Sequence, residues 1–220
     1  MPVIHNFNYN EIPAWAQLKK WEIYKLPLGH TVTIDTGYSR CGVYLMNGNI
    51  TVDDGEERVQ LWRRMGQDVK QIHLFHNGKI TIEVSADDNW WNENTIAIYS
   101  GDWTDEDHPK MGGFECSNNE RPYNHGDPVD YPFFTTFPNH YHEYDEYFLI
   151  MRGRGIFMDD GILYNVEPGD LVATRRGVHH QVVACWDDVM ICSEFGSRLG
   201  GQMRPYFLYE HTHGKPLCED

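Results

Sequence analysis

Cations are scarce in this chain. Against 33 Asp and Glu it sets 18 Lys and Arg, a formal net charge of -15 over 220 residues. A surface that acidic repels phosphate backbones and anionic lipid, so neither nucleic acid nor a membrane is an expected partner. Long apolar runs are missing too: none approaches the ~20 residues that a membrane-spanning helix needs. The opening residues, "MPVIHNFNYNEIPAW", have no basic start and no apolar core, so no signal peptide is expected. Cysteine is odd in number and scattered (Cys41, Cys116, Cys185, Cys192, Cys218), with no C-x-x-C pair. Together these absences point to a reduced, cytoplasmic protein. There is no Gly-rich phosphate loop, no G-x-S-x-G elbow and no low-complexity segment.

What is present is β-forming sequence. One short helix is expected over residues 10–24, "NEIPAWAQLKKWEIY", from Asn10 as a cap and Pro13 in the first turn. After it come "TVTID", "GVYLM", "ITVDD", "KITIEV" and "TIAIYS", short runs rich in β-branched and aromatic residues and separated by "NG", "DDG" and "HNG". About thirty residues beginning "SGDWTDEDHPKMGG" show no periodicity, which implies a linker or a functional flap. From Phe133 the β pattern returns. The expected organisation is therefore a β domain over 1–105, a linker or flap over 106–132 and a second β domain over 133–220. A weak internal repeat supports two halves. The segment from Asp35 can be laid over that from His140, so that Gly48 meets Gly153 and "DDG" at 53–55 meets "DDG" at 159–161 with one gap.

The chemistry concentrates in "NHYHEYDEYFLIMRGRG", from Asn139. In a strand, residues i and i+2 share a face roughly 6.6–6.8 Å apart, so His140 and His142 project side by side. Glu146 can join them only if the chain turns or bulges through "EYD" at 143–145. Two imidazoles and a carboxylate suit Zn, Mn, Fe, Co or Ni and not a thiol-seeking ion. A further ligand can come from "PGDLVATRRGVHHQVV", where His179 and His180 are adjacent and so face opposite ways; at most one of them can join the set. Other candidates are weaker. Trp90 and Trp91 could stack on a sugar ring, His73 and His76 read as surface histidines, and His211 and His213 read as tail.

The pattern H-x-H-x3-E-x6-G in "HYHEYDEYFLIMRG" resembles the first motif of the cupin superfamily, and "GDLVATRRGVHH" is similar to its second. The resemblance covers about Phe137 to Phe195. Departures are Phe134 where the first motif begins with Gly, Arg175 in place of Pro, and Ala184 where the second motif often ends in Asn. None removes a ligand. The resemblance implies an all-β double-stranded β-helix (a jelly roll), here as two tandem barrels after the N-terminal helix, and one divalent transition metal held by His140, His142, Glu146 and His180. The N-terminal positions matching the first three are Asp35, Gly37 and Cys41, which could not hold the same ion, so the first barrel would be degenerate.

Three imidazoles and one carboxylate on an octahedral ion leave two adjacent positions open, the mark of a catalytic site. The expected partner is a small molecule, with a homodimer as a further expectation. Tyr144, Arg152 and His179 are the candidate catalytic residues. Arg152, Arg154, Arg175 and Arg176 cluster at the motif ends and suit a substrate carboxylate. Three activities follow, in this order: a Lewis-acid isomerase, epimerase or lyase on a small sugar or sugar acid; an Fe(II) or Ni(II) dioxygenase; and a non-catalytic binding protein.

Overall fold

In a computed structural model of the chain, residues 3–4, 17–63, 71–86, 93–104, 109–118, 135–137, 139–197 and 206–207 are described. They divide into two compact units, Met1–Asn8 with Pro109–Asp220, and Tyr9–His108. No helix occurs among the described residues, and none is long and apolar enough to cross a membrane.

The first strand, β1 (Val3–Ile4), belongs to the larger unit. The smaller unit holds β2 (Lys20–Pro27), β3 (Thr31–Asp35), β4 (Arg40–Asp53), β5 (Arg58–Arg63), β6 (Ile72–Phe75), β7 (Lys79–Val84) and β8 (Glu93–Gly101). Their sheet runs β2-β8-β4-β7-β3, with β5 and β6 also paired to β4. The 14-residue β4 makes this possible. Its first half pairs with β6 and β8 and its second with β5 and β7, and a register shift between Leu45 and Asn47 turns the corner. The core is aliphatic, with Val43, Leu45, Ile50, Val52, Leu61 and Ile96 wholly buried.

The helix expected over 10–24 is not seen in its described part. Lys20–Tyr24 lie in β2, which pairs with β8 along its whole length, Lys20↔Ser100 through Pro27↔Glu93. Trp, Ile and Tyr gain more on a pleated surface than in a lone helix. Trp21 is fully buried there, its ring 5.7 Å from that of Tyr99. Residues 10–16 fall outside the described part.

The larger unit continues with β9 (Lys110–Cys116), β10 (His140–Tyr141), β11 (Glu146–Arg152), β12 (Gly155–Asp159), β13 (Ile162–Val166), β14 (Leu171–Thr174), β15 (His180–Cys185), β16 (Met190–Gly196) and β17 (Tyr206–Phe207). Two five-stranded sheets result, β1-β14-β11-β16-β9 and β13-β12-β15-β10-β17. Every pairing is antiparallel. Phe148, Ile150, Val172 and Cys192 from the first sheet share one buried cluster with Phe157, Val166, Val182 and Cys185 from the second. This is a jelly roll, two sheets closed over a single core. Truncating Phe148 or Phe157 to alanine would cost on the order of 3–5 kcal/mol.

Strand β9 lies inside the 106–132 stretch expected as linker or flap. All seven of its residues pair with β16. Adjacent Gly112 and Gly113 interrupt the side-chain alternation that would have disclosed a strand. Each of the two "DDG" repeats lies at a hairpin turn: Asp53–Gly55 leads from β4 into β5, and Asp159–Gly161 joins β12 to β13.

Candidate metal centre

Both sheets contribute to the site. His140 on β10 sits directly opposite His180 on β15, so their side chains share a face, with ring centroids 4.4 Å apart. His142 follows two residues after His140, its ring 4.9 Å away. The chain then turns through 143–145 and enters the other sheet at Glu146, the first residue of β11. That turn is pinned by its neighbours. Gly177 N donates to His142 O at 2.7 Å, Arg176 N to Asp145 Oδ1 at 3.0 Å, and Ser197 N to Asp145 O at 2.9 Å.

The donor atoms of His140, His142, Glu146 and His180 all lie within 4.8 Å of one another, and all four residues are buried. Glu146 Oε2 is 3.1 Å from Nε2 of both His142 and His180. Yet neither Oε2 nor His180 Nε2 makes a hydrogen bond, and His142 Nδ1 is also unpartnered. His180 Nδ1 lies 3.1 Å from Val178 O, which requires the proton on Nδ1 and leaves the Nε2 lone pair aimed at the cluster. Buried polar atoms are ordinarily satisfied, so lone pairs converging in this way fit a shared cation. The donor set, nitrogen and oxygen without sulfur, fits a first-row divalent ion. Aromatic rings close the other side. Phe137 lies 4.9 Å from His140, and Phe148 and Phe157 lie 5.5 and 6.3 Å from His180.

Tyr144, a residue expected at the site, sits next to this cluster together with two that sequence reasoning missed, Lys110 and Glu194. Tyr144 donates to Glu146 Oε1 at 3.3 Å and stacks on His142 at 4.5 Å. Lys110 Nζ donates to the Tyr144 oxygen at 3.4 Å and lies 2.9 Å from Glu194 Oε1. Burial, then the Glu146 and Glu194 charges, push the Tyr144 pKa well up, so its hydroxyl stays protonated. Burial and then Glu146 raise Glu194 to about 7 against the pull of Lys110. Burial would lower Lys110, but Glu194 and Glu146 outweigh it and keep the ammonium charged. A signal for Glu194 existed: it is the sole charged residue in "MICSEFG". Lys110 had none, because it stood in a stretch read as unstructured.

The other candidates are placed elsewhere. Arg152 is exposed at the far end of β11, six residues from Glu146 and so roughly 20 Å along the strand. The structure does not bring it to the cluster; alternation and strand length carry it away. His179 faces away from the set, 3.1 Å from Asn139 Oδ1 and edge-on to Tyr141 at 5.1 Å. Arg154 makes an exposed two-point pair with Asp187, and Arg175 and Arg176 are exposed. His73 pairs with Glu57 at 2.8 Å, and His76 contacts the Arg40 guanidinium. Trp90, Trp91, His211 and His213 lie outside the described residues.

A jelly roll whose two sheets converge three imidazoles and a carboxylate on one point defines a metal-competent β-barrel protein. Residues 131–192 match the family model described as Cupin domain, a likeness to the cupin superfamily that lies within the larger unit. It is 37% identical over 122 residues to the uncharacterized protein y4oW of Sinorhizobium fredii (strain NBRC 101917 / NGR234), a match covering 54% of each chain. The chain thus spans about half the length of that curated relative. Among solved structures it is similar to vicilin from Solanum lycopersicum (tomato), with a TM-score of 0.56 at 10% identity, covering 94% of this chain and 82% of the other. It is also similar to oxalate decarboxylase from Bacillus subtilis, described with Mn(II) centres, with a TM-score of 0.54 at 12% identity, covering 92% and 74%. An iolb-like protein from Salmonella typhimurium LT2 gives 0.51 at 12%, covering 88% of each chain. At these identities the likeness concerns the fold.

Proposed function

We propose that this protein is a metal-dependent cupin enzyme, a Lewis-acid isomerase, epimerase or lyase on a small sugar or sugar-acid-like molecule. His140, His142, Glu146 and His180 would hold one divalent ion from among Mn, Fe, Zn, Ni and Co. The observation that carries this is the convergence of four buried donor residues within 4.8 Å, with Glu146 Oε2 and His180 Nε2 lacking any hydrogen-bond partner. Such an ion, when bound, polarises a carbonyl or hydroxyl so that a neighbouring group can move a proton. The rest falls to the chain. Phe137, Phe148 and Phe157 exclude water on the imidazole side, strengthening each electrostatic contact there. The Tyr144 hydroxyl, kept protonated, is a hydrogen-bond donor beside Glu146. Glu194, held up to about 7, is the carboxyl beside the site able to take or release a proton near neutral pH. A lyase acting on a small carboxylate draws support from the fold likeness to oxalate decarboxylase with its Mn(II) centres.

The deciding experiment is elemental analysis of protein purified without added metal, beside His142→Ala. One equivalent of a first-row divalent ion in the wild type, lost in the variant, is the expected result. Turnover of sugar acids and hydroxy acids is then followed by proton exchange in D2O without oxygen. Obligatory oxygen uptake with Fe(II) or Ni(II) would replace the reading with a dioxygenase. Metal without turnover on any substrate would leave a binding protein.

We also read residues 1–105 as a degenerate second barrel. The matching "DDG" turns support this. At the positions corresponding to the ligand set, Asp35 instead accepts from Gly37 N at 3.0 Å, and Cys41 lies in an aliphatic core.

A further inference from the structure

Three neighbouring strands line up a row of residues beside the candidate metal centre. Lys110 on β9 pairs with Gly196 on β16, and Gly196 pairs with Glu146 on β11. Residues in register across a sheet share a face, and two ladder spacings of about 4.8 Å set the Lys110 and Glu146 backbones roughly 10 Å apart. Gly196, in the middle, has no side chain to fill that gap. The Tyr144 ring fills it instead: a Cβ on Gly196 would lie 2.6 Å from Tyr144 Cε2. Glu194, two residues along β16, shares the face, and its carboxylate occupies the space over Gly112, whose Cβ would come within 3.0 Å of Oε2. A continuous contact chain results. Glu194 Oε1 meets Lys110 Nζ at 2.9 Å, Nζ meets the Tyr144 oxygen at 3.4 Å, and the Tyr144 hydroxyl meets Glu146 Oε1 at 3.3 Å.

We infer that Lys110, held by Glu194 and acting through Tyr144, positions the Glu146 carboxylate, so that Oε1 is tethered outward while Oε2 faces the imidazoles, and thereby sets the affinity of the site for its divalent ion. This rests on the reading of the cluster as a metal centre. The physical argument is pre-organisation. A carboxylate has two equivalent oxygens and a free terminal torsion, and a donor on one oxygen selects the rotamer that presents the other. The ammonium is a positioning group here. Its contacts are to Tyr144 and Glu194, and it reaches Glu146 through the Tyr144 hydroxyl.

The sign of one substitution separates this from simple electrostatics. Removing a positive charge beside a cation site should tighten cation binding if Coulomb repulsion were its sole role. Positioning demands the opposite. The test uses the full chain, stripped of metal and titrated with Mn(II), reading free Mn(II) by electron paramagnetic resonance, with Co(II) absorption as a second signature. Lys110→Met is expected to bind about 10-fold more weakly. Lys110→Arg should recover most of that loss. Tyr144→Phe should match Lys110→Met, and the double variant should lose no more than either single one, because both break one chain. Circular dichroism and melting of the metal-free forms check that each variant is folded. Unchanged or tighter binding by Lys110→Met overturns the inference, as does a double variant whose losses multiply. If the wild type binds neither ion, the reading of the cluster fails and the inference with it. Wild-type binding that is indifferent to Lys110 defeats the inference alone.

Discussion

Replacing Glu146 with glutamine tests the centre without emptying it. The side chain is 2% exposed, and its Oε2 lies 3.1 Å from both His142 Nε2 and His180 Nε2. Glutamine keeps the shape, and its amide offers those nitrogens a donor, so the metal-free fold should survive. What disappears is the one anionic donor among four. An ion that binds the native state alone stabilises it by RT ln(1 + [L]/Kd), about 2.7 kcal/mol at one hundred times Kd. For a unit on the order of 100 residues, at roughly 4 °C per kcal/mol, melting should rise by about 10 °C. Loss of a direct ligand should weaken binding at least as much as loss of an outer partner at its upper end, about 100-fold. At the same metal concentration the variant then gains RT ln 2, about 0.4 kcal/mol, or about 2 °C. Differential scanning calorimetry of wild type and Glu146→Gln, each with chelator and with Mn(II), Zn(II), Co(II), Ni(II) or Fe(II), measures this. The melting of the unit that carries the site, Met1–Asn8 with Pro109–Asp220, should move, and that of Tyr9–His108 should stay. A wild-type curve indifferent to all five ions would refute the reasoning, and so would a variant that shifts as far as the wild type.

Two other expectations are simpler. Asp54 accepts backbone hydrogen bonds from Glu56, Glu57, His76 and Asn77 at 2.8–3.2 Å, tying the turn after β4 to the one after β6. Burial raises its pKa, but these donors prevail and lower it below 3.8. Its contribution is therefore complete above about pH 4 and fades as pH falls through the lower folded value; raising the pH further adds nothing. Asp54→Ala should cost about 1–3 kcal/mol near neutral pH, with a loss that shrinks towards pH 3, as read from urea unfolding. Arg152→Ala should leave metal affinity and turnover unchanged and alter stability by no more than about 0.5 kcal/mol, since Arg152 is exposed at the opposite end of β11. A tenfold loss of turnover in that variant would return Arg152 to the site.

The sequence by itself determined what depends on short-range period. Alternation made His140 and His142 neighbours on one face, placed Glu146 beyond a turn at 143–145, and allowed at most one of His179 and His180 to face inward, because each of these is settled within a few residues of backbone. The apolar run after Glu146 likewise marked a buried strand. Tertiary structure decided what depends on strands far apart in the chain. Pairing of β10 with β15 brought His180 opposite His140 across forty residues. Pairing of β2 with β8 turned an expected helix into a strand, and pairing of β9 with β16 drew Lys110 out of an apparent linker and into line with Glu146. Local pattern says which face a residue occupies. Only the register between strands says what it faces, because register is chosen by the fit of the whole core and not by any one strand.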